Sequence, residues 1–438
     1  MTQGKTMKTL PPLCTGLLLA SLLSPAAFAG APTGDGYVLD KVVQVSRHGV
    51  RPPTQSNEKL LTAVTQRQWP TWLVPFGNLT GHGYTGAVEM GRYRGEVLRT
   101  AGLIPTGCPD ASQLLVHASP LQRTKATAQA LLDGMFPGCG LQPTYVSGEQ
   151  DALFQANEMP FAALDPVKAK AAILKALGGS VEAAQARYKP FEEKLREVAC
   201  MPGTDCPYGK QAWELEQNAK GRFSIKGLSA GANMGEVFRL EYSQGLPLDK
   251  VAFGNGRTAA EVSSLMVLTK AKYDYLNDIP YIASRGASEL MNQISLELKQ
   301  GTSLAQKDAP DAPPDVPLML LVAHDTNISY LRTMLGFGWK LGDYIENNIP
   351  PVGTLQFERY KEVKTGEYFL RIAFEAQSMD QIRNLTQLSA SQKPLKGDFA
   401  SAKDCRKTSV GLLCPLKDAM VKVDQNIDPT ALTPYSFK

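Results

Sequence analysis

The sequence predicts an α/β fold in which a mixed sheet with flanking helices is interrupted by an inserted, mostly α-helical domain. Three observations predict it. β-branched runs alternate with helix-period segments over residues 36–145, strand signals almost vanish over 146–301, and β texture returns over 302–438. Strand–helix alternation is the pattern of a parallel or mixed sheet. The expected organisation is a discontinuous α/β domain, 36–145 with 302–438, and a helical insertion or cap, 146–301.

The composition fits a folded chain. At 438 residues, 43% hydrophobic and 20% charged, it is neither disordered, collagen-like nor a coiled coil. A chain of this length buries about three quarters of the surface its unfolded form exposes, so its core needs no metal staple. The 46 Lys and Arg nearly balance 42 Asp and Glu, which argues against a nucleic-acid partner.

At the N-terminus, Lys5 and Lys8 precede an apolar run over 10–23 that ends in Ser24-Pro25-Ala26-Ala27-Phe28-Ala29. That order, charged residues, apolar run and A-x-A site, is a signal peptide over residues 1–29, cleaved near Ala29. The run is too short and too proline-broken for a membrane anchor, and no second long apolar segment follows. A soluble periplasmic or secreted protein with no membrane partner is expected. Met7-Lys8 would serve equally as a start.

Residues 38–45 read as a strand and 83–103 as a helix; residues 114–118 read as a second strand, followed by a helix over 126–135. In the middle block, 163–177, 181–198, 230–244, 259–276 and 282–300 have helical periodicity. The proline-rich stretch 308–315 then breaks the pattern. Residues 318–323, Leu-Met-Leu-Leu-Val-Ala, suit a strand buried on both faces. Residues 354–360 and 368–374 alternate around Lys364-Thr365-Gly366-Glu367, a hairpin.

Three of these strands run into charged clusters. The first leads to Ser46-Arg47-His48-Gly49-Val50-Arg51-Pro52-Pro53-Thr54, the second to Ser119-Pro120-Leu121-Gln122-Arg123-Thr124, and the buried one to His324-Asp325-Thr326-Asn327. Ligands of α/β sheets bind at the carboxyl ends of strands. Three guanidiniums brought together need an anion among them, and their planar forks match phosphate oxygens. The clusters therefore read as a phosphate pocket. A periplasmic binding protein for phosphorylated ligands would also need the arginines, but it has no use for an adjacent His–acid pair.

The other signals are weaker. With only four histidines and no HExxH, HxH or CxxC spacing, a zinc site is not expected. His82 and His117 read as structural. Gly81-His82-Gly83-Tyr84-Thr85-Gly86 fits the dinucleotide fingerprint but follows no strand, so no cofactor is expected. Cys14 leaves with the leader, and the six remaining cysteines read as disulfides. Fifteen pairings are possible, and nearest-neighbour pairing joins Cys108–Cys139, Cys200–Cys206 and Cys405–Cys414.

Arg47-His48-Gly49-Val50-Arg51-Pro52-Pro53 together with His324-Asp325 resembles the two-part signature of the histidine acid phosphatases, branch 2 of the histidine phosphatase superfamily. The likeness extends through Gln122-Arg123-Thr124 and the cysteine spacings, and it covers essentially the whole mature chain. It is nearest to the bacterial periplasmic phytases and glucose-1-phosphatases. The resemblance implies an enzyme acting on small-molecule phosphomonoesters, in which His48 is a nucleophile forming a phosphohistidine. It also implies that Arg47, Arg51, Arg123 and His324 hold the phosphate, and that Asp325 protonates the leaving oxygen.

For the substrate, the resemblance is mixed. Gly49, Thr54 and His324-Asp325-Thr326-Asn327 are similar to phytases, and Glu236 matches an acid that lines the phytase pocket. Gln55 stands where phytases commonly carry a lysine. Residues 119–123, 136–139 and 245–248 look more like glucose-1-phosphatases. Phytase is the preferred expectation, with Thr54 and Glu236 on the substrate, and a monomeric enzyme is expected.

Overall fold

The computed structural model describes residues 32–218, 221–307 and 309–437, with Met1, Thr2 and Gly4. The leader and its cleavage site lie outside the described residues. Strands β1 (Tyr37–Arg47), β2 (Leu114–Ala118), β3 (Leu215–Gln217), β4 (Phe223–Ile225), β5 (Leu318–Ala323), β6 (Thr354–Glu362), β7 (Tyr368–Ala376), β8 (Leu395–Phe399), β9 (Arg406–Thr408) and β10 (Gly411–Pro415) form two sheets. The large one is ordered β2–β5–β1–β6–β7–β10–β9, with β8 also paired to β7.

That sheet is mixed. β5 runs parallel to both β1 and β2, whereas β6, β7, β8, β9 and β10 are antiparallel to their neighbours. All six residues of β5 are buried, as an unbroken apolar run between two parallel neighbours requires. β6 and β7 form the hairpin that the alternation predicts.

Helices α1 (Gln55–Thr65), α2 (Gly81–Thr100) and α3 (Gln122–Met135) follow the first two strands. α2 and α3 cross almost in backbone contact. A Cβ on Gly134 would stand 2.0 Å from the Val88 carbonyl oxygen, and one on Gly91 2.3 Å from that of Leu131. The pair covers one face of the sheet, with Met90 and Leu131 packed on Val42, Val116 and Leu320.

The helical block holds α4 (Pro166–Ala176), α5 (Val181–Ala199), α6 (Leu228–Ser243), α7 (Ala259–Ser264), α8 (Val267–Leu276) and α9 (Pro280–Lys299). The largest apolar core runs without interruption from Val43, Val45, Met319 and Leu321 in the sheet, through Leu290, Met291 and Ile294 of α9, to Met234 and Phe238 of α6. Helices α10 (Asp325–Leu335), α11 (Met379–Arg383) and α12 (Leu416–Gln425) complete the fold.

The structure differs from the sequence reading in a few places. The single helix expected over 259–276 is broken after Ser264, where α6 crosses it. A Cβ on Gly235 of α6 would meet the Leu265 carbonyl oxygen at 2.7 Å, and Thr269 Oγ1 donates to the Ala232 carbonyl at 2.9 Å. Helix α1, the β3–β4 hairpin inside the helical block and the short strands β8, β9 and β10 were not expected. The three disulfides join Cys108–Cys139, Cys200–Cys206 and Cys405–Cys414, the nearest-neighbour set.

Candidate active site

Parallel pairing brings the three charged clusters to one edge of the sheet. Arg47 stands opposite Ala323, and His117 opposite Leu321. Two further hydrogen bonds carry the alignment past the strand ends. His48 N–H donates to the Ala323 carbonyl at 3.1 Å, and Ser119 N–H to that of Val322 at 2.9 Å. A cleft of about 450 Å³ opens there, lined by His48, Arg51, Arg123, His324 and Asp325 and, from α8, Lys272 and Tyr273.

His48 is buried, and its ring is fixed. Nδ1 lies 2.9 Å from the Gly49 carbonyl, which can only accept, so Nδ1 carries the proton and Nε2 keeps its lone pair. Burial, then Arg123, Arg47 and Arg51, hold the imidazole well below its ordinary range, so it is neutral. Gly49 has no room for a side chain, because a Cβ would stand 2.8 Å from Leu79 Cδ1. Of the fingerprint-like glycines, Gly83 serves this packing. Gly83 sits at the start of α2, where a Cβ would lie 2.4 Å from the Val50 carbonyl oxygen.

The arginines divide into two kinds. Arg51 and Arg123 line the cleft, and burial lowers both, Arg123 to about 10. Arg47 lies behind the cleft wall. Its Nη1 donates to the Ile349 carbonyl at 2.5 Å, and Nη2 reaches Glu236 Oε1 at 2.6 Å and Asp325 Oδ2 at 3.0 Å. Among the described residues the Nε of each of the three has no protein partner.

Asp325 opens helix α10. Burial pushes its carboxyl up, but Arg47, Arg51, the Tyr273 hydroxyl and His324 outweigh it and hold the group well below the usual carboxylate range. His324 caps the same helix. Its backbone N–H donates to Asn327 Oδ1 at 3.1 Å, and its Nε2 lies 3.0 Å from Ser119 Oγ. Burial and then Arg123 lower this imidazole to about 3.

Glu236 and Thr54, the two expected substrate contacts, are not among the residues lining this cleft. Glu236 on α6 is held by Arg47 and by Arg239, at 2.6 and 2.5 Å, and faces a small cavity of about 20 Å³ behind Asp325 and Tyr273. Burial raises its carboxyl, yet Arg239 and Arg47 bring it below the ordinary value. Thr54 is the N-cap of α1, accepting from Asn57 N–H at 3.4 Å.

Several site residues carry no sequence signal of their own. Lys272 and Tyr273 sit mid-helix in a stretch without a motif, and only the fold turns them to the cleft. Ser119 belongs to a quoted strand end but was assigned nothing. The other two histidines are not among the residues lining the cleft: His117 is buried and His82 half-buried. His82 Nε2 donates to the Ile382 carbonyl at 2.9 Å. His117 is held by Thr144 Oγ1, Asp151 Oδ2 and the Tyr435 hydroxyl, at 2.8, 2.9 and 3.0 Å. Asn327, which follows Asp325 in the first turn of α10, is buried and donates to the Phe154 carbonyl at 2.7 Å.

Residues 38–375 match the histidine phosphatase superfamily (branch 2). The chain belongs to that family. It is a phosphatase of the histidine acid phosphatase type. A phytase of Klebsiella sp. ASR1 superposes with a TM-score of 0.86 at 38% identity, covering 92% of this chain and 99% of that one. A glucose-1-phosphatase of Salmonella typhimurium is 32% identical over 405 residues, 91% of this chain and 94% of the relative. A phytase of Escherichia coli strain K12 is 28% identical over 414 residues, again 91% and 94%.

Proposed function

We propose that this phosphatase is exported and hydrolyses phosphorylated inositols and sugars through a phosphohistidine on His48, with myo-inositol hexakisphosphate as its main substrate. The observation that carries the reading is the state of His48, neutral and with Nε2 bare, beside a cleft bearing Arg51 and Arg123.

In the first step the Nε2 lone pair attacks phosphorus, and the ester P–O bond breaks with its electron pair on the leaving oxygen. Asp325 protonates that oxygen. In the second step water attacks phosphorus, Asp325 takes its proton, and the P–N bond breaks to return the lone pair to Nε2. Fixed positive charge from Arg51 and Arg123, with His324, stabilises the phosphoryl oxygens in both transition states. Arg47 and Glu236 act one layer back: Arg47 holds the Asp325 carboxylate, and Glu236, between Arg47 and Arg239, orients the Arg47 fork.

The preference for a polyphosphorylated substrate rests on charge beyond the phosphoryl pocket. Lys272 and Arg222 line the same cleft, which supplies cationic side chains although Gln55 does not. A glucose-1-phosphatase is the second reading, favoured by the 32%-identical Salmonella relative and by the uncharged stretch Ser119-Pro120-Leu121.

The division into domains supports the same picture. Residues 36–145 and 302–438 supply His48, Arg51, Arg123, His324 and Asp325, while residues 146–301 supply the facing wall with Gln155, Asn157, Arg222, Lys272 and Tyr273. Export rests on the leader and the three disulfides. No helix among the described residues is long and apolar enough to cross a membrane.

The deciding experiment compares kcat/KM for myo-inositol hexakisphosphate and glucose 1-phosphate at acid pH. A preference for glucose 1-phosphate would replace the first reading with the second.

A further inference from the structure

Two spaces meet at Asp325. It lines the substrate cleft on one side and the cavity of about 20 Å³ on the other, and Tyr273 borders both. A space of that size admits one water where two to four polar groups surround it, the minimum being about 10–15 Å³. The walls supply such groups: Glu236, Asp274, Arg239 and Asn348 line the cavity with Asp325. Arg239 is buried, and its Nε has no protein partner among the described residues.

The reaction gives this cavity a task. Free Asp325 is ionised, because burial raises its carboxyl but Arg47, Arg51 and Tyr273 outweigh it. It must nevertheless hold a proton before the ester bond breaks. A phosphorylated substrate seated on Arg51 and Arg123 covers the carboxyl from the cleft side, whereas the cavity reaches it from behind. The cavity also meets solvent, through Lys270, Asp274 and Glu346, whose side chains are 29%, 30% and 61% exposed.

Among the carboxyls on its walls, one suits the passage of protons. Glu236 is clamped by Arg47 and Arg239, which outweigh its burial and keep it ionised. Asp278 is committed to Ser329, Arg332 and Thr333. Asp274 pairs with Lys270 at 2.6 Å and stands between solvent and the cavity. Burial, and then Asp278, raise its carboxyl against Lys270 and Arg332, which brings it nearer to the pH at which an acid phosphatase works.

We propose that the cavity holds one water, and that this water carries protons between Asp325 and solvent by way of Asp274. Solvent protonates the Asp274 carboxyl, which passes that proton to the water as the water passes one of its own to Asp325. The path runs in reverse when phosphate has left, so water and Asp274 end each turnover unchanged. Asp274 touches no substrate; it is a positioning residue that loads the acid. The proposal rests on the reading of Asp325 as the general acid.

The test uses Asp274→Asn and Asp274→Glu in the full mature enzyme. In rapid-quench bursts, Asp274→Asn should lose on the order of tenfold more rate on the alkoxide-forming myo-inositol hexakisphosphate and glucose 1-phosphate than on p-nitrophenyl phosphate, less than the ~10²–10⁴-fold worth of the acid itself. Asp274→Glu keeps an exchangeable carboxyl and should close most of that gap. Raising the acetic acid buffer at fixed pH and ionic strength should speed the alkoxide bursts of Asp274→Asn and not those of wild type. In an Asp325→Asn background, Asp274→Asn should leave the ratio between substrates unchanged, because it acts through that acid. Equal losses on both substrate types in Asp274→Asn, or a gap that neither Asp274→Glu nor acetic acid narrows, would overturn the proposal. If Asp325→Asn itself fails to separate the substrates, the acid reading falls and the proposal with it.

Discussion

Replacing Asp325 by Asn separates chemistry from architecture, and the structure sets the terms of the test. Asp325 Oδ2 stands 3.0 Å from Arg47 Nη2. At an effective dielectric of about 20, that contact is worth about 5 kcal/mol of attraction, which favours the ionised carboxylate against burial. An ionised group cannot act as an acid. A phosphoryl dianion about 5 Å away would repel the carboxylate by about 7 kcal/mol at the same dielectric, comparable in size and opposite in sign. Substrate binding therefore returns Asp325 toward its protonated form, just before the leaving oxygen needs a proton.

Inositol and sugar phosphates expel an alkoxide, whereas p-nitrophenyl phosphate expels a delocalised phenolate that departs without help. General acid assistance is worth about 10²–10⁴-fold, so Asp325→Asn should lose at least tenfold more rate on the alkoxide substrates. Rapid-quench phosphorylation bursts with both substrate types give the ratio free of slow dephosphorylation. A ratio of two substrates on one protein is also unaffected by partial unfolding. Equal burst losses would refute the acid role and leave Asp325 as the opening residue of α10, where its Oδ1 accepts from Thr326 N–H at 3.0 Å. A local contact of that kind is worth about 1 kcal/mol of stability and does not distinguish leaving groups.

Other outcomes follow from the same geometry. His48→Ala should abolish turnover, and acid quenching of wild type with labelled substrate should trap an acid-labile, base-stable phosphate that the variant lacks; label retained on the variant would reject His48 as nucleophile. The His48 imidazole sits well below its ordinary value of 6.5, so it should stay neutral as pH falls through that value from 7 to 6. kcat/KM for p-nitrophenyl phosphate should not drop over that interval, and a loss with an apparent pKa near 6.5 would contradict the neutral ring. The denatured mature protein should show no free thiol by Ellman titration, since all six cysteines are paired; two or more per chain would break the disulfide assignment. Tyr435→Phe removes a hydroxyl placed 3.0 Å from His117 Nε2 and 3.1 Å from Asp151 Oδ2. It should cost about 1–3 kcal/mol in urea denaturation, and no measurable change would mean that the hydroxyl holds nothing.

How far the sequence reached depended on whether a residue announces itself locally. β5 was legible because six apolar residues in a row have few other uses, and its ends were read to the residue. The clusters after β1, β2 and β5 were legible because charge directly after a buried strand has nowhere to go except a strand-end site, and parallel pairing then forces the three together. Glu236 was read as a substrate contact from the resemblance alone, and its sequence position says nothing of the arginines around it. Only packing shows Arg47 and Arg239 closing on it. Thr54 was read as a ligand residue, although Ser and Thr directly before a helix are usually caps, and α1 went unread. Lys272 and Ser119 mark the limit. A lysine in an amphipathic helix and a serine after a strand are two of the commonest surface features of any sequence. Each gains its meaning from a partner far off in the chain, Lys272 across the cleft from the β-strand ends and Ser119 against a histidine 205 residues away. Motifs report groups whose chemistry is fixed by their neighbours in sequence. The groups that line a catalytic site from a distant part of the chain are placed by the tertiary fold, so variants at Lys272 test the structure more sharply than variants within the motif itself.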